Sequence, residues 1–224
     1  MSIAENLIRI NKTLHPNTKL IAVSKTYSSK DILEAYNAGQ RIFGESKAQE
    51  LQTKQNELPN DIEWHFIGHL QSNKVKYIAE FIHTIHSVDS LALLKEINKQ
   101  AAKYKRIINC LLEVHISDED SKFGLIETEI VELLKSIALE PLPHIVITGL
   151  MGMATYTNDV SIIRKEFKTL AAIKDKLITI FPNSTTHLND LSMGMSGDYL
   201  IAMEEGSTYV RIGTSIFGKR DYSN

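Results

Sequence analysis

The chain has 224 residues, of which 43% are hydrophobic and 23% are charged, and its formal net charge is −2. These values predict a globular protein with enough apolar material for a core, and they argue against a general binder of nucleic acid or of anionic membranes. One cysteine, Cys110, rules out a disulfide framework within the chain. We recognise no signal peptide and no apolar run long enough to span a bilayer, so we expect a cytoplasmic protein.

Short β-branched runs alternate along the chain with longer stretches of helical periodicity. The first fourteen residues predict an extra amphipathic helix, with its apolar side chains on one face. Eight strand-like runs follow, at 19–25, 41–44, 63–68, 84–88, 107–116, 144–151, 187–193 and 208–213. Eight strand–helix units predict a single α/β domain over residues 1–224, folded as a (β/α)8 TIM barrel. The alternative is an open doubly wound sheet, although no G-x-G-x-x-G follows a predicted strand.

Lys25 ends the first predicted strand, directly after the apolar run Leu20–Val23. Lysine is seldom buried without a partner. An amine in a partly desolvated pocket has a lowered pKa, and the neutral amine can attack an aldehyde to form a Schiff base. The alternative interpretation is a lysine whose ammonium group reaches water at the barrel rim.

Glycines and hydroxyl residues are concentrated after the seventh and eighth predicted strands, in "LSMGMSGD" (191–198) and "GSTYVRIGTSIFG" (206–218). Barrels often bind phosphate in these two loops, where backbone N–H groups approach an anion closely. Ser192 would supply a hydroxyl donor there. The alternative is two ordinary glycine-rich turns.

Arg211 lies on the eighth predicted strand, close to the same barrel mouth. An arginine at such a place usually has an anionic or acceptor partner, which could be a ligand. An ordinary salt bridge with Glu45, Asp198 or another carboxylate would explain it equally well.

The histidines do not form a convincing metal motif. His65 and His69 are four residues apart, but they flank a predicted strand end rather than lying on a helix, and His83 and His86 raise the same objection. No cysteine or acidic cluster completes a zinc set, so we predict no metal site. Cys110 lies in an apolar run, and we interpret it as a core residue.

These residues together predict a barrel with an aldehyde-reactive lysine opposite a phosphate-binding rim. Two ligands satisfy this description. One is a phosphorylated sugar aldehyde, and the other is pyridoxal 5′-phosphate (PLP).

Several motifs resemble the YggS/PROSC family of pyridoxal phosphate homeostasis proteins, over residues 20–222. They are "VSK" ending at Lys25, "FGES" (43–46) with "QE" (49–50), "WHFIGHLQSNK" (64–74), "SKFG" (121–124), "GLMGM" (149–153) and the long block 191–218. The resemblance implies a fold like the N-terminal barrel of alanine racemase. Two positions depart from the family, because Ser46 and His115 stand where asparagine is usual.

The resemblance also implies roles for five residues. Lys25 would carry PLP as a Schiff base, Ser192 would contact its phosphate, and the backbone of Gly213 and Thr214 would complete the phosphate cup. Arg211 would face the pyridine nitrogen. A permanent cation there disfavours protonation of that nitrogen, so the ring would be a weak electron sink.

The resemblance implies a non-catalytic protein that stores, buffers or delivers PLP, with PLP-dependent apoenzymes as candidate recipients. We expect a monomer with no nucleic-acid or membrane partner. The alternative is a small PLP-dependent amino-acid racemase. Racemisation needs an acid or base on each face of the substrate. In alanine racemases the second base is a tyrosine of a further domain, for which we see no room here, although Tyr27 or Tyr156 could substitute. A phosphosugar aldolase is a more distant alternative.

Overall fold

A computed structural model describes residues 1–117, 123–182 and 187–218. Its eight parallel strands close into a barrel in chain order, because β1 pairs with both β2 and β8. The predicted barrel is therefore confirmed, and the open sheet is wrong. The strands are β1 (Lys19–Val23), β2 (Ile42–Glu45), β3 (Glu63–Phe66), β4 (Thr84–Val88), β5 (Ile108–Val114), β6 (Ile145–Gly152), β7 (Asp190–Ser192) and β8 (Tyr209–Ile212).

Helices connect successive strands, and one further helix precedes the barrel as predicted. They are α1 (Ile3–Asn11), α2 (Ser29–Asn37), α3 (Ala48–Glu57), α4 (Leu91–Lys103), α5 (Glu127–Leu139), α6 (Val160–Ile180), α7 (Tyr199–Glu204) and α8 (Thr214–Phe217). Between β3 and β4 the chain forms a six-residue 3₁₀ helix, Ser72–Tyr77. Buried Val75 and Ile78 are three residues apart, a spacing that suits 3₁₀ geometry.

Local sequence signals fix where the helices begin and end. Ser2 and Ser28 each form a capping box, which satisfies backbone donors in the first turns of α1 and α2. Ser90 caps α4 through a hydrogen bond from the backbone N–H of Leu93. Gly39 follows α2 with a φ of +99°, the left-handed conformation in which helices commonly end.

The hydrophobic core lies in the layer between the strands and the helices, where alternate strand residues such as Leu20, Phe43 and Cys110 pack with the helices. Cys110 is fully buried in β5, which confirms it as a core residue. The first helix is attached to the last, because the Asn6 side chain donates to the carbonyl oxygen of Ile216 at 2.9 Å. Within the described ranges, no helix is both long and apolar enough to cross a membrane. The first two residues of the "SKFG" motif, residues 118–120 of its loop, and residues 183–186 and 219–222 of the resemblance lie outside those ranges.

Candidate functional site

A cavity of about 550 Å³ opens where β1, β6, β7 and β8 end at the barrel mouth. This volume is in the usual range for a small-molecule site. Its lining contains two basic side chains, Lys25 and Arg211, one carboxylate, Asp198, and several hydroxyl and backbone groups. The described residues that line it are Val23, Lys25, Ile67, 153–158, Ile163, 195–198, Arg211, Gly213 and Thr214.

Lys25 projects from a tight turn directly after β1. The backbone N–H of Tyr27 donates to the carbonyl oxygen of Ser24 at 3.1 Å, so Lys25 and Thr26 are the central residues of the turn. Thr26 has a φ of +71°, a left-handed conformation that β-branched residues rarely adopt. The half-buried Lys25 side chain lines the cavity, and a chemical role for its amine stays a prediction.

Arg211 forms the floor of the cavity from β8, with 5% of its surface exposed. Its guanidinium donates to the carbonyl oxygen of Ser192 at 2.6 Å, the Ser192 hydroxyl at 2.8 Å and the carbonyl oxygen of Gly152 at 3.1 Å. Burial lowers the pKa of Arg211 to about 10, while Asp198 and Glu113 oppose that change. The side chain therefore remains a cation at neutral pH, and neither Glu45 nor Asp198 is its hydrogen-bonded partner among these contacts.

The structure places Ser192 behind Arg211 rather than on the cavity surface. Ser192 is fully buried at the end of β7, and the described lining includes Ser196 instead. Gly194 lies between the two serines with a φ of +93°, and the chain turns there before α7. The sequence contained a signal for Ser196, because this residue lies in the predicted phosphate-binding segment, but the exact end of the strand decides which hydroxyl lines the cavity.

Gly213 and Thr214 lie together at the start of α8 and line the cavity, and their predicted contact with a phosphate stays a prediction. A Cβ atom at Gly213 would lie 3.0 Å from the carbonyl oxygen of Val23, so the backbone after β8 packs closely against the end of β1. The first N–H groups of a helix have no partner within it, which makes them available to an anion.

Glu113 lies at the end of β5, close to this region, with 4% of its surface exposed. Burial raises the pKa of Glu113 to about 7, although Arg211 partly opposes the effect. Ser46 and His115, the two departures from the family, are absent from the described lining of the Lys25 cavity.

The predicted histidine pairs are rearranged by the fold. His65 and His86 lie inside the barrel on neighbouring strands, with 2.8 Å between His65 Nδ1 and His86 Nε2. His69 faces Asp89 instead. Glu63, His65 and His83 bring one ligand atom each within 4.8 Å of one another. These are residue types that can bind a metal ion, so the absence of a metal site stays a prediction.

Comparison with known proteins places the chain among PLP-associated proteins. The family described as "Alanine racemase, N-terminal domain" matches residues 1–221. A pyridoxal phosphate homeostasis protein of Pasteurella multocida is 40% identical, and the match covers the whole of both chains. The protein of the same name from Escherichia coli K12 is also 40% identical, over 91% of this chain and 86% of that one.

Solved structures agree with this placement. PipY of Synechococcus elongatus with PLP bound is 37% identical, with a TM-score of 0.89 over 97% of this chain and all of that chain. An alanine racemase of Bartonella henselae with covalently bound PLP is 16% identical, with a TM-score of 0.73 over 99% of this chain and 60% of that chain. The racemase likeness concerns the fold alone.

Proposed function

The chain belongs to the family of pyridoxal phosphate homeostasis proteins, which is built on the alanine racemase N-terminal domain, and we propose that it binds PLP at the Lys25 cavity. The protein takes part in intracellular PLP homeostasis by storing, buffering or delivering the cofactor. The observation that carries the proposal is the meeting of Lys25 and Arg211 with Ser196, Gly213 and Thr214 around one cavity. PLP offers an aldehyde to an amine and an anionic phosphate to the hydroxyl and N–H donors.

Each group has a proposed task. Lys25 binds the PLP aldehyde as a Schiff base, with loss of water. Ser196 and the backbone N–H groups of Gly213 and Thr214 bind the phosphate, and Arg211 faces the pyridine nitrogen. Ser192 holds Arg211 in place through its hydrogen bonds with the guanidinium, whereas the sequence favoured direct contact of Ser192 with the phosphate.

The carrier function is favoured over the racemase alternative by the surroundings of the two candidate tyrosines. The Tyr27 hydroxyl donates to the carbonyl oxygen of Gly218 at 2.6 Å, and its ring stacks on Phe217. Tyr156 lies on the cavity rim and is 96% exposed. A carbanion intermediate needs a second acid or base on its other face, and a hydroxyl committed to a backbone carbonyl, as in Tyr27, or a ring largely exposed to solvent, as in Tyr156, is poorly suited to that role.

The proposal is tested by borohydride reduction of the PLP-treated protein followed by peptide mass mapping. We expect a pyridoxyl group on Lys25, and no such adduct in a folded Lys25→Ala variant. Lys47→Ala, which removes an exposed lysine after β2, is the matched control and should behave like the wild type. A PLP adduct retained by Lys25→Ala at wild-type yield would disprove the assignment.

A second measurement separates a carrier from a racemase. We expect no change in the chirality of L-alanine or other L-amino acids incubated with the PLP-loaded protein. Enzymatic conversion to the D-isomer, lost in Lys25→Ala, would instead establish the racemase.

A further inference from the structure

The turn that carries Lys25 is held in an unfavourable conformation by groups outside it. Thr26 occupies the third position of the turn with a φ of +71°, where glycine is strongly preferred because it has no Cβ atom. Such a conformation persists when neighbouring contacts compensate for it. The contacts on both sides of Lys25 identify the groups responsible.

Lys54 of α3 lies beneath this turn and is 6% exposed. Its ammonium group donates to the carbonyl oxygen of Ser24 at 2.9 Å, to Oε1 of Glu45 at 2.8 Å and to Oε1 of Glu50 at 2.7 Å. An ammonium group has three donors, so these three bonds use all of them.

The two carboxylates also contact the residues that flank Lys25. Oε1 of Glu45 accepts a hydrogen bond from the Ser24 hydroxyl at 2.7 Å, and Oε1 of Glu50 accepts one from the backbone N–H of Thr26 at 2.8 Å. Ser24 is therefore held through its carbonyl and its hydroxyl, and Thr26 through its N–H. Lys25 itself lies between two anchored neighbours.

The charges in this cluster are unusual for a structural ion pair. Burial raises the pKa of Glu45 above its usual range despite Lys54 and the Ser24 hydroxyl. Burial alone would also raise the pKa of Glu50, but the hydrogen bonds from Lys54 and from the Thr26 N–H lower this pKa below its usual value. A buried ion pair is costly to desolvate and is not in itself a strong source of stability. A role in positioning a neighbouring group therefore explains the buried Lys54 and Glu45 better than a contribution to stability does.

We propose that Lys54, with Glu45 and Glu50, is a positioning cluster that fixes the strained Ser24–Tyr27 turn and so aims the Lys25 amine into the cavity. This inference rests on the proposed function of Lys25 as the PLP-binding amine. Lys54 does not line the cavity, and it acts through the backbone on either side of Lys25.

The test compares four full-length proteins: the wild type, Lys54→Met, Thr26→Gly and the double variant Thr26→Gly/Lys54→Met. Glycine at position 26 removes the strain that the cluster opposes, so it should make the turn less dependent on Lys54. In the ligand-free proteins, we would measure the labelling rate of Lys25 by trinitrobenzenesulfonate, with peptide mapping, and the hydrogen-exchange rate of the Tyr27 amide. The rate of borohydride-trappable PLP capture is then measured separately.

We expect Lys54→Met to slow PLP capture about tenfold, to change the labelling rate of Lys25 and to speed exchange at Tyr27. We expect the added Thr26→Gly substitution to return each of these three rates most of the way to its wild-type value. Lys54→Met leaves the Glu45 carboxylate buried without its counter-ion and could unfold the protein for that reason. Glu45→Gln/Lys54→Met removes both charges and is used instead if Lys54→Met does not fold. Lys47→Met is the matched control for loss of a lysine near the start of α3.

Wild-type capture and labelling in a folded Lys54 variant would overturn the inference. The inference would also be overturned if PLP capture were slow in Lys54→Met and equally slow in Thr26→Gly/Lys54→Met. That result would show that Lys54 acts on the fold and not on the turn. If the wild type captures no PLP while the labelling and exchange effects occur as expected, the proposed function fails and the positioning role stands.

Discussion

The guanidinium group of Arg211 and the side chain of Ser192 are joined across β7 and β8, with 2.8 Å between Nη1 and the serine hydroxyl oxygen. The same nitrogen donates to the Ser192 carbonyl oxygen at 2.6 Å. The serine that the sequence selected as a ligand contact therefore hydrogen-bonds the arginine, and Ser196 is the serine of this segment that lines the cavity.

Ser196→Ala should weaken phosphate-dependent binding more than Ser192→Ala does. A hydrogen bond to a charged group contributes about 1.5–3 kcal/mol, so losing one from Ser196 should raise the dissociation constant about tenfold or more. Binding of pyridoxine 5′-phosphate, which has no aldehyde, isolates this contribution from covalent capture. Equal losses in the two variants would contradict the assignment of the phosphate contact to Ser196.

Arg211→Ala should weaken PLP retention without abolishing covalent capture by Lys25. It should also destabilise the fold, by about 2–4 kcal/mol, because the carbonyl groups of Ser192 and Gly152 lose a buried charged donor. Urea unfolding measures the second effect, and borohydride trapping measures the first. Wild-type retention of PLP in Arg211→Ala would argue against a ligand-facing guanidinium.

Two buried histidines should make the fold sensitive to acid. His65 and His86 are fully buried, and burial holds the pKa of each well below its usual range, so both are neutral in the folded protein. In the unfolded chain they bind protons below about pH 6.5, so the free energy of unfolding should fall by up to about 1.4 kcal/mol per pH unit for each histidine. Urea unfolding between pH 7 and 5 measures the slope.

The matched variant is His65→Gln/His86→Gln. It should show a shallower decline toward acid pH than the wild type does. An unchanged slope would assign the acid sensitivity to other groups.

Glu113 should make the opposite contribution over much of the same pH range. The pKa of Glu113 is about 7 in the folded protein and 4.5 in the unfolded chain. Between these two pH values the folded state binds a proton that the unfolded state has lost, so the contribution of Glu113 to stability falls as the pH rises. Glu113→Gln removes the buried charge and should stabilise the fold by up to about 3 kcal/mol at pH 8, with little effect at pH 4.5. A stabilisation that is the same at both pH values would argue against a titrating Glu113.

The sequence predicted the barrel well because most strands contain an apolar run and most helices are marked by a cap or a periodic apolar face. Lys25, Arg211, Gly213 and Thr214 were located correctly relative to the barrel mouth for the same reason, since strand ends determine which residues meet there. Their proposed contacts with PLP remain predictions.

The sequence could not resolve features that depend on strand register and three-dimensional packing. The choice between Ser192 and Ser196 turns on where a three-residue strand ends. Lys54 lies in a polar helix that reads as solvent-exposed, yet it is buried under the Lys25 turn, because α3 packs back onto the end of β1. No periodicity rule identifies a lysine whose partners come from three different segments.

Barrel closure through β1 and β8 has a consequence for synthesis of the protein. Lys25 follows the first strand, whereas Arg211, Gly213 and Thr214 belong to or follow the last, so the two sides of the cavity are made at opposite ends of translation. Domains fold as units once their contacts can form, and these contacts span nearly the whole chain. A ribosome-bound chain that lacks β8 would display Lys25 without the opposing groups, so stable loading with ligand should be confined to chains that have been completed and have closed.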